Sequence, residues 1–434
     1  MNQNLKTSLL ALLLASSAAS FAQSEWTRAR QEIHENILLS ASNYVAYIDP
    51  TEALTPTPKG YEPFYLTHYG RHGSRWLIGD WEYTDAMGVL ERAHEQGKLT
   101  ERGELLRQQL NAFYQTTIKR RGELTTVGER QHRRIGARMS ERFPEIFGAA
   151  NSQVDARSTV VIRCILSMSA ACEEITRRNP KVKVFNDVSE SYQYYMNKEP
   201  WSQRLQDERK ERWSRVTLDY NKEYIQPARF WSQLMNDPTY RDEKIASRTT
   251  VMKRVFDICS NMQSHDTDLS LYDLFTEEEC YGLWRCKNLE WYVSSSSGTG
   301  PYSQANLLRN FLQTADTITG SKTYHGASLR YGHEVCVLPL AALLELGDCY
   351  PEVPMERLDT LDRVWANFRI YPMASNIQLV FYRPKKGRAG DVLVKALLNE
   401  QEVRLPATPV SGPYYRWADL RAYYEKKLND YEQG

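Results

Sequence analysis

Residues 64–69, Phe-Tyr-Leu-Thr-His-Tyr, read as a strand that runs directly into Gly70-Arg71-His72-Gly73-Ser74-Arg75. Ligands in open α/β sheets bind at the C-terminal ends of strands. Here that end carries a histidine flanked by two arginines. An arginine stays charged at any working pH, and its planar fork matches phosphate oxygens two at a time. Gly73 lets the backbone approach a ligand closely, and a turn that leads into a helix adds unpaired N–H donors that favour an anion. A histidine among such cations stays neutral near pH 7, the state a nucleophile needs.

The rest of the chain reads as strands interleaved with helices, which indicates an α/β class. Helices are expected over 25–39, with Trp26, Ala29, Ile33 and Ile37 on one face, and over 84–118. A basic turn, Lys119-Arg120-Arg121-Gly122, comes next. A long helix then opens at residues 124–128 and carries Ile135, Met139, Phe143 and Ile146 as its apolar stripe. A short strand at 154–156 precedes a helix over 158–176. Residues 186–299 look mostly helical, and the serine run 294–300 reads as a flexible boundary. Strands return at 327–331, 377–382 and 392–398, with a helix over 335–346 and a turn at Asn399-Glu400. No internal repeat is present.

Lys and Arg number 55 and Asp and Glu 54 in 434 residues. This balance argues against a nucleic-acid binder that works through net charge. At the N-terminus, Lys6, the apolar run 9–15 and Ser20-Phe21-Ala22 form the pattern of a signal peptide over 1–22. The run is well short of the ~20 residues of a membrane span, so the expectation is an exported protein, periplasmic or secreted, with no membrane anchor. There are seven cysteines and no Cys-x-x-Cys pair, so no structural metal site is expected. Cys164 and Cys172 lie too far apart on one helix to bridge. Cys280 and Cys286 are a candidate pair to close a short loop.

Two more strand ends carry charge: Asp155-Ala156-Arg157-Ser158-Thr159, and Gly332-His333-Glu334 ahead of the apolar run 335–346. Together with 71–75, with 124–139 and with the closing segment 392–406, these stretches resemble the histidine acid phosphatase family, in the family's order. The inositol-polyphosphate branch, the phytases, is a near neighbour. The resemblance implies a phosphoglycerate-mutase-like three-layer core with a mostly parallel sheet, formed by 24–75, 121–185 and 300–434. An inserted α-helical cap would come from 76–120 and 186–299.

The resemblance also implies roles. His72 would be the nucleophile and form a phosphohistidine. Arg71, Arg75, Arg157 and His333 would hold the phosphoryl oxygens, and Glu334 would be the proton donor. No metal or cofactor is called for, because arginines can neutralise the phosphoryl charge. The partner would be a phosphorylated small molecule, with inositol polyphosphates first. The alternatives are a broad acid phosphatase acting on sugar phosphates or nucleotides, or a non-catalytic phosphate-ligand binder. The chain departs from the family in two places. Its acid follows His333 directly, and Trp76-Leu77 stands where many relatives have a proline. His265-Asp266 imitates the second motif but lacks the preceding strand, so His333-Glu334 is favoured. His68 could line the pocket, and Lys119, Arg120 and Arg121 could meet additional phosphates. His132 reads as structural.

Overall fold

Tyr61–Arg71 forms β1, and its last nine residues are all buried. A strand covered on both faces belongs in the middle of a sheet. The computed structural model describes residues 26–197, 203–245, 247–386 and 392–433. In chain order the other strands are β2 (Gln153–Ser158), β3 (Lys183–Val188), β4 (Gly326–Gly332), β5 (Asn376–Pro384), β6 (Leu393–Leu398), β7 (Gln401–Val403) and β8 (Tyr415–Arg416). They form one sheet in the order β3-β2-β4-β1-β5-β6-β7, with β8 also paired to β6. The strands β3, β2, β4 and β1 are mutually parallel. β5 runs antiparallel to β1, and β6 antiparallel to β5. β6 therefore runs with β1, and most of the sheet shares one direction.

The helices that matter below are α1 (Arg28–Glu35), α2 (Trp81–Glu95), α3 (Glu101–Thr117), α4 (Thr126–Arg142), α5 (Ile162–Arg178), α6 (Gln203–Tyr224), α7 (Arg248–Asn261), α8 (Glu277–Trp291), α9 (Ala305–Thr319), α10 (Glu334–Leu343) and α11 (Trp417–Gln433). One face of the sheet packs Leu66, Val154, Ala156 and Leu329 against Ile135 and Met139 of α4 and Met168 and Ala171 of α5. The other face packs Tyr65, Tyr69 and Phe381 against α9, α10 and α11 through Leu308, Phe311, Leu338 and Trp417. This is a three-layer α/β core. A further cluster lies away from the sheet: Tyr83, Leu90, Leu110, Phe256 and Trp284 of α2, α3, α7 and α8 pack together. Among the described residues no helix is long and apolar enough to cross a membrane.

Several local expectations change. The first helix ends at Glu35, because Asn36 leaves the helix and caps a tighter turn over Ile37–Tyr44. Helices α2 and α3 are separate, with Gly97 at positive φ between them. The serine run is not an open loop. Tyr292–Ser296 continues α8 as a wide helical turn, and Ser294, Ser295 and Ser296 are buried. Cys280 and Cys286 share α8, where six residues separate them by ~9 Å along the axis. They cannot bridge, and none of the seven cysteines, all buried, forms a disulfide. The Asn399-Glu400 turn holds: both residues take positive φ and join β6 to β7. The proposed signal segment lies outside the described residues.

Candidate active site

The loop after β1 is held from three sides. Gly73 N–H donates to Ser167 Oγ of α5, and Ser74 N–H donates to Gln131 Oε1 of α4. Gly73 also touches the start of α4, where Thr125 caps the helix by accepting from Gly128 N–H. A Cβ on Gly73 would stand 2.5 Å from Gly128 O, and one on Gly128 would stand 2.3 Å from Ser74 O. Neither contact can be met by a flexible side chain moving aside, so this backbone-on-backbone approach explains both glycines.

Parallel pairing of β1 with β4 sets Arg71 opposite Gly332. His72 and His333 therefore leave the sheet side by side, with ring centroids 5.7 Å apart. His72 N–H donates to Gly332 O at 2.9 Å. His72 Nδ1 lies 2.8 Å from Gly73 O. A carbonyl only accepts, so Nδ1 carries the proton and Nε2 holds the lone pair. Nε2 is buried without a hydrogen-bond partner, 3.5 Å from Glu334 Oε2. Burial drives the His72 pKa well below the ordinary value. Glu334 opposes that shift, and Arg163 and Arg71 reinforce it. The result is a neutral imidazole with a bare nitrogen.

Glu334 opens α10 and accepts from Arg71 Nε at 3.1 Å. Burial pushes its carboxyl up, but Arg71, His72 and Arg75 more than reverse this and hold it well below the usual carboxylate range. It is ionised. His333 sits 3.3 Å from Thr159 Oγ1, beside the Cys164 thiol, and burial lowers its pKa to about 4.

Three arginines surround these groups. Arg71 is fully buried and donates from Nη1 to Tyr371 O at 2.8 Å. Arg75 donates to Trp76 O and lies over the Tyr44 ring. Arg163, in the first turn of α5, donates to Gly122 O at 3.3 Å. Each keeps one buried guanidinium nitrogen without a partner: Arg71 Nη2, Arg75 Nε and Arg163 Nε. All three lower the His333 pKa, so their charges meet in one place. Three cations face one carboxylate, and unpaired donors that are out of water are costly. An anion with several oxygens would relieve both deficits. His72, His333 and Glu334 also bring ligand atoms within 4.8 Å of one another. They have the donor types of a metal site, but the adjacent arginines favour an anion there.

Arg163 is the arginine that sequence reading missed, and Arg157 is not in this cluster. Arg157 lies within β2, ion-paired to Asp155 at 3.1 Å and donating to Tyr195 Oη at 2.9 Å. Alternation along the strand explains the error. Ala156 packs with the α4–α5 layer, so Arg157 faces the other way. An arginine in the first turn of the next helix was the signal to look for. His68 is also outside the cluster, buried against Tyr331 with its pKa lowered to about 3 by burial. His132 flanks the same tyrosine from α4 and is likewise held at about 3. In the basic turn, Arg121 is tied to Asp80 and stacked on Tyr83. Arg120 pairs with Glu123 and lies 5.9 Å above Trp76, while Lys119 is exposed. Asp266 is bound by Arg130 and Thr126, and His265 packs on Trp76 with the rings tilted, 4.0 Å between ring centres.

No protein-family model matches the sequence. No curated protein matches it either. Solved structures do. A multiple inositol polyphosphate phosphatase of Bifidobacterium longum in complex with phosphate aligns with a TM-score of 0.75 at 18% identity, covering 90% of this chain and 98% of that one. The same enzyme with inositol hexasulfate aligns at 0.73 and 18%, covering 89% and 97%. A phytase of D. castellii aligns at 0.69 and 14%, covering 90% and 85%. Identities this low carry the fold and nothing further. The chain has the fold of the histidine acid phosphatases and phytases, which its motifs at 71–75 and 332–334 had pointed to.

Proposed function

We propose that the chain is a phosphomonoester hydrolase that works through a phosphohistidine at His72, with inositol polyphosphates as its leading substrate class. The observation that carries this is the bare Nε2 of His72, set among three arginines with unpaired N–H groups and one carboxylate. The names of the structural neighbours, an inositol polyphosphate phosphatase solved with phosphate and with inositol hexasulfate, and a phytase, support the substrate class. The N-terminal pattern supports export, and we take the cluster of α2, α3, α7 and α8 as part of a cap over the site.

The substrate's phosphoryl oxygens replace Glu334 as the partner of Arg71 and engage Arg75, Arg163 and His333. Their negative charge offsets the arginines, so the Glu334 pKa rises and the carboxyl takes a proton. His72 Nε2 attacks phosphorus, the bond to the ester oxygen breaks, and Glu334 passes its proton to the leaving alkoxide. Gly73 O, on Nδ1–H, stabilises the positive ring. Water then attacks the phosphohistidine, and Glu334 accepts a proton from it. The P–N bond breaks, releasing phosphate and neutral His72. A second reading, a phosphatase of broad specificity, draws on the ion pairs that already occupy Arg120 and Arg121 and leave fewer cations for additional phosphates.

Phosphate release from phytate, measured beside glycerol phosphate and p-nitrophenyl phosphate, tests both readings. His72→Ala should abolish turnover of all three, and labelled substrate should trap an acid-labile, base-stable phosphoprotein on the parent chain. Turnover in His72→Ala would remove the mechanism. Equal kcat/KM across the panel would select the broad reading.

A further inference from the structure

Arg157, displaced from the active site, lines a separate cavity of about 330 Å3 between the sheet and α9. Register pairs Asp155 with Ser328 and Arg157 with Arg330, so all four side chains stand on one face of the sheet. Arg330 is only 4% exposed. Its guanidinium donates to Asn310 Oδ1 at 2.8 Å, Thr67 Oγ1 at 2.8 Å and Thr314 Oγ1 at 3.3 Å. These partners are all neutral. Among the described residues no carboxylate lies within ion-pair distance of Arg330, and Asp155, the acid of the cavity, is held by Arg157 through two hydrogen bonds.

Two cations and one carboxylate leave a single positive charge, and one of the cations is out of water. Hydrogen bonds to neutral groups satisfy its N–H donors but leave its charge uncompensated. An open volume at the lower end of the range for small-ligand sites adjoins that charge. The rest of the lining includes the amide and hydroxyl groups of Gln313, Thr317 and Tyr324 beside the apolar Ile318 and Leu329. We propose that this cavity is a second oxyanion site, built for one phosphate group, free or on a small polyol.

The cavity also has a physical link to the active site. Tyr195, bonded to Arg157, precedes Met196, whose carbonyl accepts from Tyr69 Oη at 2.7 Å. Tyr69 Oη in turn accepts from His333 N–H at 3.3 Å. Arg330 lies on β4, two residues before Gly332. An anion that draws Arg157 away from Tyr195 perturbs the support of His333, so phosphate bound here modulates turnover without competing for His72. This regulatory half rests on the phosphatase reading, and the binding half does not.

The test is calorimetric titration of the full chain with inorganic phosphate. Two sites are expected. Arg75→Ala should remove the site at His72 and leave the second. Arg157→Gln should weaken the second at least about fivefold and spare the first. Asp155→Asn removes the competing negative charge and should tighten the second by a similar factor, a gain that a purely structural aspartate would not give. A single site lost in Arg75→Ala would overturn the proposal. So would a second site that neither Arg157→Gln nor Asp155→Asn alters. Two sites in a chain that hydrolyses no phosphomonoester would keep this site and discard the proposed activity. One site in an active enzyme would do the reverse.

Discussion

Of the chain's four histidine–acid dipeptides, those at 265–266 and 333–334 come nearest to the motif, and their surroundings differ at every level above sequence. His333-Glu334 sits where β4 gives way to α10, with the carboxylate accepting from buried Arg71 and lying 3.5 Å from His72. His265-Asp266 follows the end of α7. Its carboxylate is exposed and bound by Arg130, whose side chain is half exposed. The two histidines are alike, since burial lowers each to about 4. The acids are not. Asp266 is lowered to about 2 by hydrogen bonds from Arg130 and Thr126, on the surface. Glu334 overcomes a full burial penalty through Arg71 and Arg75, cations of the proposed anion site, and through His72. A carboxylate held by a surface arginine has little prospect of changing protonation state. One held by arginines that a substrate would neutralise, as the proposed mechanism has it, has every prospect of it.

The sharpest break of this comparison is a pair of isosteric changes. Glu334→Gln keeps the shape and removes the proton, so kcat on glycerol phosphate should fall by roughly 10²–10⁴. The loss should be much smaller on p-nitrophenyl phosphate, whose leaving anion needs little protonation. Asp266→Asn should leave kcat within about twofold, because its partners lie on the surface. A crippled Asp266→Asn beside a mild Glu334→Gln would exchange the two sites.

The next largest effect compares the arginines. Arg163→Ala removes a charge-assisted donor from the proposed anion site and should lower kcat/KM by about 10- to 150-fold. Arg157→Ala should change it by less than about threefold at low phosphate concentration, since its guanidinium stands outside the cluster and reaches His333 only indirectly, through Tyr195, Met196 and Tyr69. Steady-state rates on one substrate decide between them. Equal losses would place Arg157 in the chemistry after all.

Much of this is legible in the sequence. The strand into 71–75, the strand into 332–334 and the helix opening at 124–128 were all readable because each ends on a residue type with few other uses. What failed was what depends on direction. Arg157 and Arg163 stand six residues apart, and only the alternation of β2 and the place where α5 begins assign one to each side of the sheet. The serines at 294–296 read as part of a flexible boundary because their composition is polar. Their burial comes from packing beside α6 and α10, which no local pattern announces. The Cys280–Cys286 loop failed for a similar reason: whether a short spacing closes a loop or spans a helix depends on an element that the spacing does not specify.

The smallest expected effect sharpens the comparison through the histidines rather than the acids. His265 is held at about 4 by burial, against about 6.5 in an unfolded chain. The folded form is therefore neutral where the unfolded form binds a proton. Stability from this residue is fully present above pH 6.5 and is lost progressively as pH falls toward 4, with no further loss below. The contribution is on the order of 3 kcal/mol for a shift of this size. His265→Gln, an uncharged replacement beside Trp76, should lower stability at pH 7 by loss of ring packing yet flatten its fall between pH 6.5 and 4. Its kcat on glycerol phosphate at pH 6 should stay near the parent value. Urea midpoints measured across that range read the slope directly. His68 and His132, both at about 3, keep part of the acid sensitivity in either chain, so the parent and the variant should converge but not coincide. An unchanged slope would mean that His265 titrates as it does in water. The resemblance between the two histidines would then be lost, leaving His333 as the buried member of the pair.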